Sequence, residues 1–251
     1  METKRLKVIS CRVMWRELCY FAALSPHDVD LQFLPWGLHN TPSLLNSEVQ
    51  KAIDASYVLQ TDPNSGPCDG ECHPDAILLG YGLCSNGVVN LTARQVPLVI
   101  PRGHDCITCF LGSKERYQEY FDKHPGTYWY TPGWIENHLA PGEQRYTREY
   151  ERYKEKYGEE NAEYLIQMEQ DWFHSYNNAA YTDMGLGNRD DYVTFTKECA
   201  AWLKWGFDDV KGDPRLIKAL VSGEWDDRDF LVVQPGQKIV PTYDERIITA
   251  E

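Results

Sequence analysis

Three cysteines each stand at the end of a short apolar run that is typical of a buried β-strand. Cys11, Cys84 and Cys106 end the runs that begin near residues 6, 76 and 97. A stretch with helical character follows each cysteine, so strands and helices alternate. In an open parallel sheet the carboxyl ends of the strands line one crevice, and ligands bind there. The spacing therefore predicts that three thiols distant in sequence converge on one site.

The segment from Arg102 to Cys109 is the richest local motif. It places the imidazole of His104, the carboxylate of Asp105 and two thiols within six residues, at a strand-to-helix turn. Thiolates and imidazoles are the usual zinc ligands, whereas thiolates alone hold iron–sulfur clusters. We predict His104 as a fourth metal ligand or an acid–base group. Asp105 is predicted to cap the following helix or to orient His104.

A glycine-rich turn surrounds Cys84. Three glycines between residues 80 and 87 permit a tight turn whose backbone N–H groups face an anion or a cluster sulfide. The last glycine is displaced from the spacing of the dinucleotide fingerprint, so this turn is not such a site. The residues predicted to contact a cofactor are Gly82, Ser85, Asn86, Gly87 and Arg102.

His39 and Asn40 follow the second predicted strand, which indicates that they face the same crevice. We predict a catalytic role for His39. The segment 127–134 is unusually aromatic, and such a segment either walls a pocket for a flat or cationic ligand or packs in a core. The residues predicted to contact a substrate are Asn40, Tyr81, Trp129 and Trp134.

A second thiol set competes with the first. It has the C-x3-C and C-x2-C spacing of a structural zinc site, and it consists of Cys68, Cys72, Cys106 and Cys109. Against it, the first pair lies in a turn-rich loop, and the second pair has a spacing that is natural within one helix. Cys19 and Cys199 lie in predicted helices, where we expect them to be core residues.

The composition narrows the class of protein. The 251 residues carry a net charge of −13, which disfavours nucleic acid because binding to a phosphate backbone needs clustered Lys and Arg. No apolar run approaches the ~20 residues of a membrane span, so we expect no membrane partner. Eight cysteines with no secretory signal favour thiols or a metal over a disulfide scaffold. A cytoplasmic location is expected.

The predicted elements form an α/β fold, with a Rossmann-like parallel sheet, flanking helices and a helix-rich C-terminal half. Strands are predicted at 6–10, 29–34, 76–81, 97–101 and 230–233. Helices are predicted at 12–24, 42–55, 86–94, 105–123, 143–157, 159–176, 191–205 and 214–222. We expect an α/β region at 1–135 that carries the Cys/His site and a helix-rich region at 136–251 with a returning strand, or one continuous domain.

Several motifs, taken together, resemble the DUF1638 family over most of the chain. They are Leu38–Pro42, Tyr81–Gly87, Pro101–Ile107, Leu111–Ser113, Gly126–Tyr128 and Gly133–Trp134, with Gly223–Asp226 and Pro235–Gly236 near the C-terminus. The resemblance implies thiol, metal and one-carbon chemistry, since such proteins often accompany corrinoid-dependent methyl-transfer systems. It also implies that Cys11, Cys84, His104 and Cys106 occupy positions typical of the family. By the same comparison, Cys68, Cys72 and Cys109 are additions in this chain.

Three functions follow as hypotheses. The first is a metal-dependent enzyme, a transferase or lyase, with zinc held by Cys11, Cys84, Cys106 and His104 and with a small-molecule substrate. The second keeps the three cysteines but places a [4Fe-4S] cluster there with one open iron. The third is a non-catalytic accessory protein that docks on a corrinoid protein or a methyltransferase, for which the acidic surface and the charge-dense segment 143–157 are suited.

Overall fold

The computed structural model describes residues 2–57 and 73–251. Ten strands lie in this part of the chain: β1 (Arg5–Cys11), β2 (Asp28–Leu34), β3 (Ala76–Gly80), β4 (Leu98–Pro101), β5 (Thr127–Tyr130), β6 (Asn178–Asp183), β7 (Gly206–Lys211), β8 (Phe230–Val233), β9 (Ile239–Pro241) and β10 (Ile248–Ala250). The same residues form nine α-helices: α1 (Trp15–Ala23), α2 (Pro42–Ala55), α3 (Ile107–Leu111), α4 (Lys114–Lys123), α5 (Pro132–Asn137), α6 (Glu143–Tyr157), α7 (Glu159–Phe173), α8 (Arg189–Leu203) and α9 (Arg215–Val221). The predicted mixed α/β class is confirmed.

The chain divides into two compact units. Unit one runs to Arg116 and resumes from Asp213 to the last residue, while unit two comprises Tyr117–Gly212. The first boundary therefore falls inside α4, and the chain returns to unit one after β7. This division differs from the predicted boundary at 135/136, because the last 39 residues belong with the first 116.

Unit one is built on a five-stranded sheet with the order β2-β1-β3-β4-β8. The first four strands are parallel to one another, and β8 pairs antiparallel with β4. Every residue of β3 and β4 is buried, as expected for strands of a parallel sheet that is covered on both faces. Full burial of a Leu, Ile or Val side chain stabilises the fold by about 1.5–3 kcal/mol. The apolar runs thus hold the strand ends in place.

The strand order reverses between β1 and β3. Cys11 pairs with Leu34 of β2 on one side of β1, whereas Ser10 pairs with Gly80 of β3 on the other. The Ser10 hydroxyl also donates to the Gly80 carbonyl at 3.0 Å, which ties the ends of these two strands together. In open α/β sheets, ligands bind outside the carboxyl ends of the strands at such a reversal. The predicted strands 6–10, 29–34, 76–81, 97–101 and 230–233 are confirmed.

The helices of unit one follow the strands as predicted in three places. A short 3-10 helix, Arg12–Met14, leads into α1, and Pro42 occupies the first turn of α2, where its missing N–H costs no hydrogen bond. The helix predicted at 214–222 is α9, which packs against α1. No helix in the described part of the chain is both long and apolar enough to cross a membrane.

Two predicted helices of unit one are wrong in whole or in part. The segment 86–94 forms turns instead of a helix, because Asn86 and Asn90 have left-handed backbones, with φ of 66° and 68°. The segment 105–123 divides into α3 and α4 at Gly112, which has φ of 78° and whose N–H bonds back to the Thr108 carbonyl. A left-handed glycine after the last turn is a common helix stop.

Residues near the C-terminus complete unit one. Strands β9 and β10 form an antiparallel pair that the sequence analysis does not predict. The Asn90 N–H donates to the Ile239 carbonyl at 2.8 Å, and the Ile239 N–H donates to the Leu91 carbonyl at 3.0 Å. The end of the chain therefore holds the segment that follows the Cys84 turn.

Unit two has its own parallel sheet, with the order β5-β6-β7. Its core contains Tyr128, Tyr130, Tyr181 and Cys199, against which Trp134 packs. The helices predicted at 143–157, 159–176 and 191–205 correspond to α6, α7 and α8. The three strands of this sheet are additional to the prediction, and the predicted helix-rich region 136–251 contains five strands beside its helices.

Candidate functional site

Three cysteines occupy the carboxyl ends of three neighbouring strands of unit one. Cys11 is the last residue of β1, Cys84 lies in the turn after β3, and Cys106 lies between β4 and α3. Cys11 is buried, whereas Cys84 and Cys106 are half-buried. The charges of Cys11 and Cys84 both act on the pKa of Cys106. The structure thus brings these three thiols into one neighbourhood at the reversal of strand order.

Hydrogen bonds hold the Cys84 and Cys106 loops side by side. The Leu83 N–H donates to the Gly103 carbonyl at 2.8 Å, and the Cys84 N–H donates to the His104 carbonyl at 2.9 Å. Gly82 allows this approach, because a Cβ there would lie 2.7 Å from backbone atoms of Asp105. A glycine is therefore required at position 82 for steric reasons.

The backbone of the Cys84 turn is strained. Cys84, Ser85 and Asn86 have φ of 46°, 55° and 66°, three consecutive left-handed residues with side chains. Left-handed backbone costs roughly 1–2 kcal/mol per residue for most side chains. The turn is closed by the Gly87 N–H, which donates to the Cys84 carbonyl at 2.9 Å. Backbone strain of this kind clusters at functional sites, where the surrounding structure maintains it.

The thiols at this site are held in the neutral form. Burial raises the pKa of Cys84 and of Cys106 well above the ordinary value, and the Asp105 carboxylate raises both further. The same two causes raise the pKa of the neighbouring Cys109 to about 12. Burial also raises the pKa of Cys11, although the N–H groups of Val13 and Arg12 oppose the shift. A nearby cation would reverse these shifts, since it favours thiolates.

Asp105 and His39 provide the polar groups beside the thiols. One Asp105 carboxylate oxygen accepts the Ile107 N–H at 2.9 Å, at the first residue of α3, whereas the N-cap position itself is occupied by Cys106 without a side-chain capping bond. Burial lowers the pKa of His39, and the charge of Asp105 partly offsets the shift. His39 is therefore neutral at pH 7 and near a carboxylate, as a proton acceptor should be.

A family model matches residues 33–221, and its description is a protein of unknown function, DUF1638. The chain belongs to the DUF1638 family. The match covers most of the chain and confirms the resemblance found in the sequence. It includes Cys84 and Cys106, whereas Cys11 precedes it. No curated protein and no solved structure matches this DUF1638 chain.

Arg102 has a structural position in this DUF1638 protein. Its Nε donates to the Asp227 carbonyl at 2.7 Å, and its Nη2 pairs with the Asp227 carboxylate at 2.9 Å. Its Nη1 donates to the carbonyls of Arg246 and Ile248. The guanidinium is thus committed to the C-terminal segment. These contacts explain its burial without the cofactor contact predicted for it.

The other predicted residues divide between the two units. The His104 side chain is exposed, and its backbone carbonyl is the group that contacts the Cys84 loop. Ser85, Asn86 and Asn40 are also exposed, while Gly82 and Gly87 are buried. Trp129 and Trp134 belong to unit two, where Trp129 lies 4.7 Å from the Tyr120 ring, centroid to centroid.

The second thiol set lies largely outside the described residues, since Cys68 and Cys72 belong to the segment 58–72. Cys109 is buried in α3, and Cys199 is buried in unit two as predicted. Cys19 is exposed, so its predicted place in the core is wrong. Cys19 follows the buried Leu18 in α1 but is itself exposed.

The side chains of the candidate site are not arranged around a single metal ion. Across residues 2–57 and 73–251, no group of three or more His, Cys, Asp or Glu side chains is placed so that it could hold one. A tetrahedral zinc ion with Zn–S bonds of about 2.3 Å needs sulfurs roughly 3.8 Å apart. The predicted zinc centre of Cys11, Cys84, Cys106 and His104 therefore does not fit the side chains as they lie.

Two features of the site were not predicted from sequence. The first is the left-handed backbone at residues 84–86, for which the three neighbouring glycines were the available signal. The second is Ser10, whose buried hydroxyl joins the ends of β1 and β3. A serine before a strand-end cysteine carries no signal of its own, because its partner is 70 residues away.

Proposed function

We propose that unit one of this DUF1638 protein binds a thiolate-ligated metal centre, with Cys11, Cys84 and Cys106 as the protein ligands. The observation that carries the proposal is the convergence of three neutral thiols at the reversal of strand order. Metal binding to thiols releases their protons, so bonds to a cation at this site would offset the cost of burying three thiolates.

Of the two kinds of centre, we propose the iron–sulfur cluster. A single zinc ion requires all its sulfurs around one point, and the described side chains do not supply such a group. In a cluster each cysteine binds its own iron atom, so the sulfurs lie farther apart. Three cysteine ligands would leave one iron of a [4Fe-4S] cluster open to a small-molecule substrate, which is the chemistry that the centre supplies.

The residues of the chain then have defined tasks. His39 is neutral and half-buried, so it accepts a proton from the substrate. Asp105 holds the first turn of α3 in place and stabilises the imidazolium that His39 becomes. The Cys84 turn and its glycines fix the distance between two of the ligands.

The setting that we propose is an enzyme of thiol or one-carbon metabolism, linked to corrinoid-dependent methyl transfer. The support for the corrinoid link is the family resemblance alone. The strand order of unit one supports a Rossmann-like relationship, since doubly wound sheets reverse at the same point. All six described cysteines are free, which suits a reducing, cytoplasmic location.

Purification without oxygen, followed by analysis for iron, acid-labile sulfide and zinc, tests the proposal. We expect a brown protein with iron and sulfide in equal amounts. Cys84→Ser and Cys106→Ser should each lose most of the iron. Cys19→Ser is the matched control, because Cys19 is an exposed thiol in the same unit and should leave the iron content unchanged.

Two other results would change the assignment. A colourless protein with one zinc per chain, lost in the same two variants, would keep the three ligands and replace the cluster by zinc. A protein that binds neither metal, or variants that retain it, would contradict the proposal. An accessory role without turnover would then be the remaining hypothesis.

A further inference from the structure

Helix α7 of unit two has apolar side chains on two of its faces. Its buried residues are Ala162, Ile166 and Phe173. A second set, Tyr164, Met168 and Trp172, recurs every four residues and so forms a row along one side of the helix, which we call the α7 row. These three side chains are 63%, 56% and 54% exposed. A surface helix with one buried face is normally polar elsewhere, so the α7 row indicates a surface that another molecule covers.

The two helices of the α6–α7 hairpin differ in charge. All the Lys and Arg residues of the hairpin lie on α6, whereas α7 has five acidic residues and none that is basic. On α6, Arg148, Arg152 and Lys156 recur every four residues and are exposed. On α7, Glu160 and Asp171 are exposed and lie within four residues of the α7 row. The hairpin therefore presents a row of basic side chains on one helix and an acidic surface on the other.

The charges show which kind of molecule fits this surface. Within one copy, α6 and α7 already pack side by side, and Arg145 pairs with Glu169 at 3.0 Å. A second copy of the chain supplies the same basic row and the same acidic helix. If α7 lay against α7 of the second copy, two acidic helices would face each other, which is unfavourable. If α7 lies against α6 of the second copy, opposite charges meet on both sides of the apolar contact.

We propose that two copies of this chain associate through the α6–α7 hairpin, with α6 of each copy against α7 of the other. A two-fold axis that runs along the helices produces this exchange, and every contact then occurs twice. The α7 row of each copy is buried between the two hairpins, in a four-helix arrangement. The inference concerns unit two alone and does not depend on the metal centre proposed for unit one.

Sedimentation equilibrium of the full chain tests the association. We expect the wild type to approach twice the 29.0 kDa mass of the chain as its concentration rises. Met168→Glu places a charge at the centre of the α7 row and should leave a monomer at the same concentrations. Phe121→Glu is the matched control that should remain dimeric, because Phe121 is 52% exposed and lies in unit two but outside the hairpin. A monomeric wild type, or a dimer that Met168→Glu retains, overturns the inference.

Charge reversal tests the pairing of α6 with α7. Arg148→Glu combined with Arg152→Glu should abolish the dimer, because α7 of the second copy loses its opposite charges. Adding Glu160→Arg and Glu163→Arg to the same chain should restore the dimer, since the two helices then exchange signs. All four side chains are exposed, so circular dichroism should show an unchanged fold. A dimer that tolerates the first pair of changes, or a fourfold variant that stays monomeric, overturns the proposed arrangement.

Discussion

Among the single residues of the candidate site, Asp105 has the widest effect on the protonation of the thiols. Its carboxylate raises the pKa of Cys84, Cys106 and Cys109, and it also acts on His39. A negative charge beside three thiols keeps the empty site protonated and unreactive. The same negative charge attracts a bound cation. Asp105 therefore disfavours ionisation of the thiols in the metal-free protein but favours binding of the metal.

Asp105→Asn should therefore make the thiols of the metal-free protein more reactive. An amide oxygen can still accept the Ile107 N–H, so the start of α3 is retained while the charge is lost. We expect alkylation of Cys106 by iodoacetamide at pH 8 to become faster, because loss of the Asp105 charge lowers the pKa of Cys106 and leaves a larger thiolate fraction. Peptide mass spectrometry measures the rate, and exposed Cys19 provides the internal control. An unchanged Cys106 rate would show that Asp105 does not set its pKa.

The raised thiol pKa values also predict how stability depends on pH. A thiol with a pKa near 8.5 in the unfolded chain and a higher one in the fold binds more protons when folded. Its contribution to the free energy of unfolding is thus fully present below about pH 8.5 and is lost as the pH rises towards the folded-state pKa. Urea midpoints of the metal-free protein should fall from pH 8 to pH 10, and less steeply in Cys106→Ser. Equal slopes for the two proteins would contradict this.

The sequence located the thiols but not all their surroundings. Strand ends follow from apolar runs, so the positions of Cys11, Cys84 and Cys106 were predictable. The contacts of Arg102 were not, since its partners Asp227 and Ile248 are 125 and 146 residues away. Exposure of Cys19 depends on which face of α1 meets the sheet, and a short helix with mixed residues does not specify that.

Among the elements, the two ligand-bearing loops act as a pair. The Cys84 loop and the Cys106 loop are joined by two backbone hydrogen bonds. Gly82 permits this close approach, because it has no Cβ to collide with the backbone of Asp105. One loop is strained at three residues and the other begins a helix. The distance between Cys84 and Cys106 therefore depends on a single glycine.

Gly82→Ala should separate the two loops. Gly82 does not have a left-handed backbone, so the effect of its new methyl group is steric, and overpacking of this kind costs about 1–3 kcal/mol. We expect a lower urea midpoint and loss of metal uptake. Gly158→Ala is the control, because nothing lies within 4 Å of its Cβ position and it tests only left-handed strain. Normal metal uptake in Gly82→Ala would show that the loop spacing is not critical.

The strands and helices were predicted correctly where their residues are apolar and buried. The strands of unit one are continuous apolar runs, which a buried parallel sheet requires. β6 and β7 read Asn-Ala-Ala-Tyr-Thr-Asp and Gly-Phe-Asp-Asp-Val-Lys, and such mixed sequences give no strand signal. The helix expected at 86–94 fails because Asn tolerates left-handed backbone, a choice that tertiary contacts decide.

At the scale of the whole molecule, unit two is an insertion within unit one. The points where the chain leaves and re-enters unit one are tied together, since the Asp213 N–H donates to the Phe110 carbonyl at 2.9 Å. The segment Tyr117–Gly212 has a separate sheet and core. No shift in composition marks either boundary, which explains why the sequence did not reveal it.

Removal of unit two should leave unit one folded. A chain in which about ten Gly and Ser residues join Arg116 to Asp213 spans the gap easily, because flexible linkers reach about 5–6 Å times the square root of their length. We expect a cooperative urea transition and metal uptake by three cysteines that all remain. Circular dichroism and metal analysis measure both. An unfolded product would show that unit one needs unit two.

The tether between Arg102 and the last residues has a consequence for synthesis on the ribosome. Strand β8 and the carbonyls that bind Arg102 are translated after all of unit two. Unit two can mature while the nascent polypeptide is still attached, since domains fold as they emerge. The thiol-bearing sheet therefore lacks β8 and the carbonyl partners of Arg102 until unit two has been translated, so it is completed only after unit two.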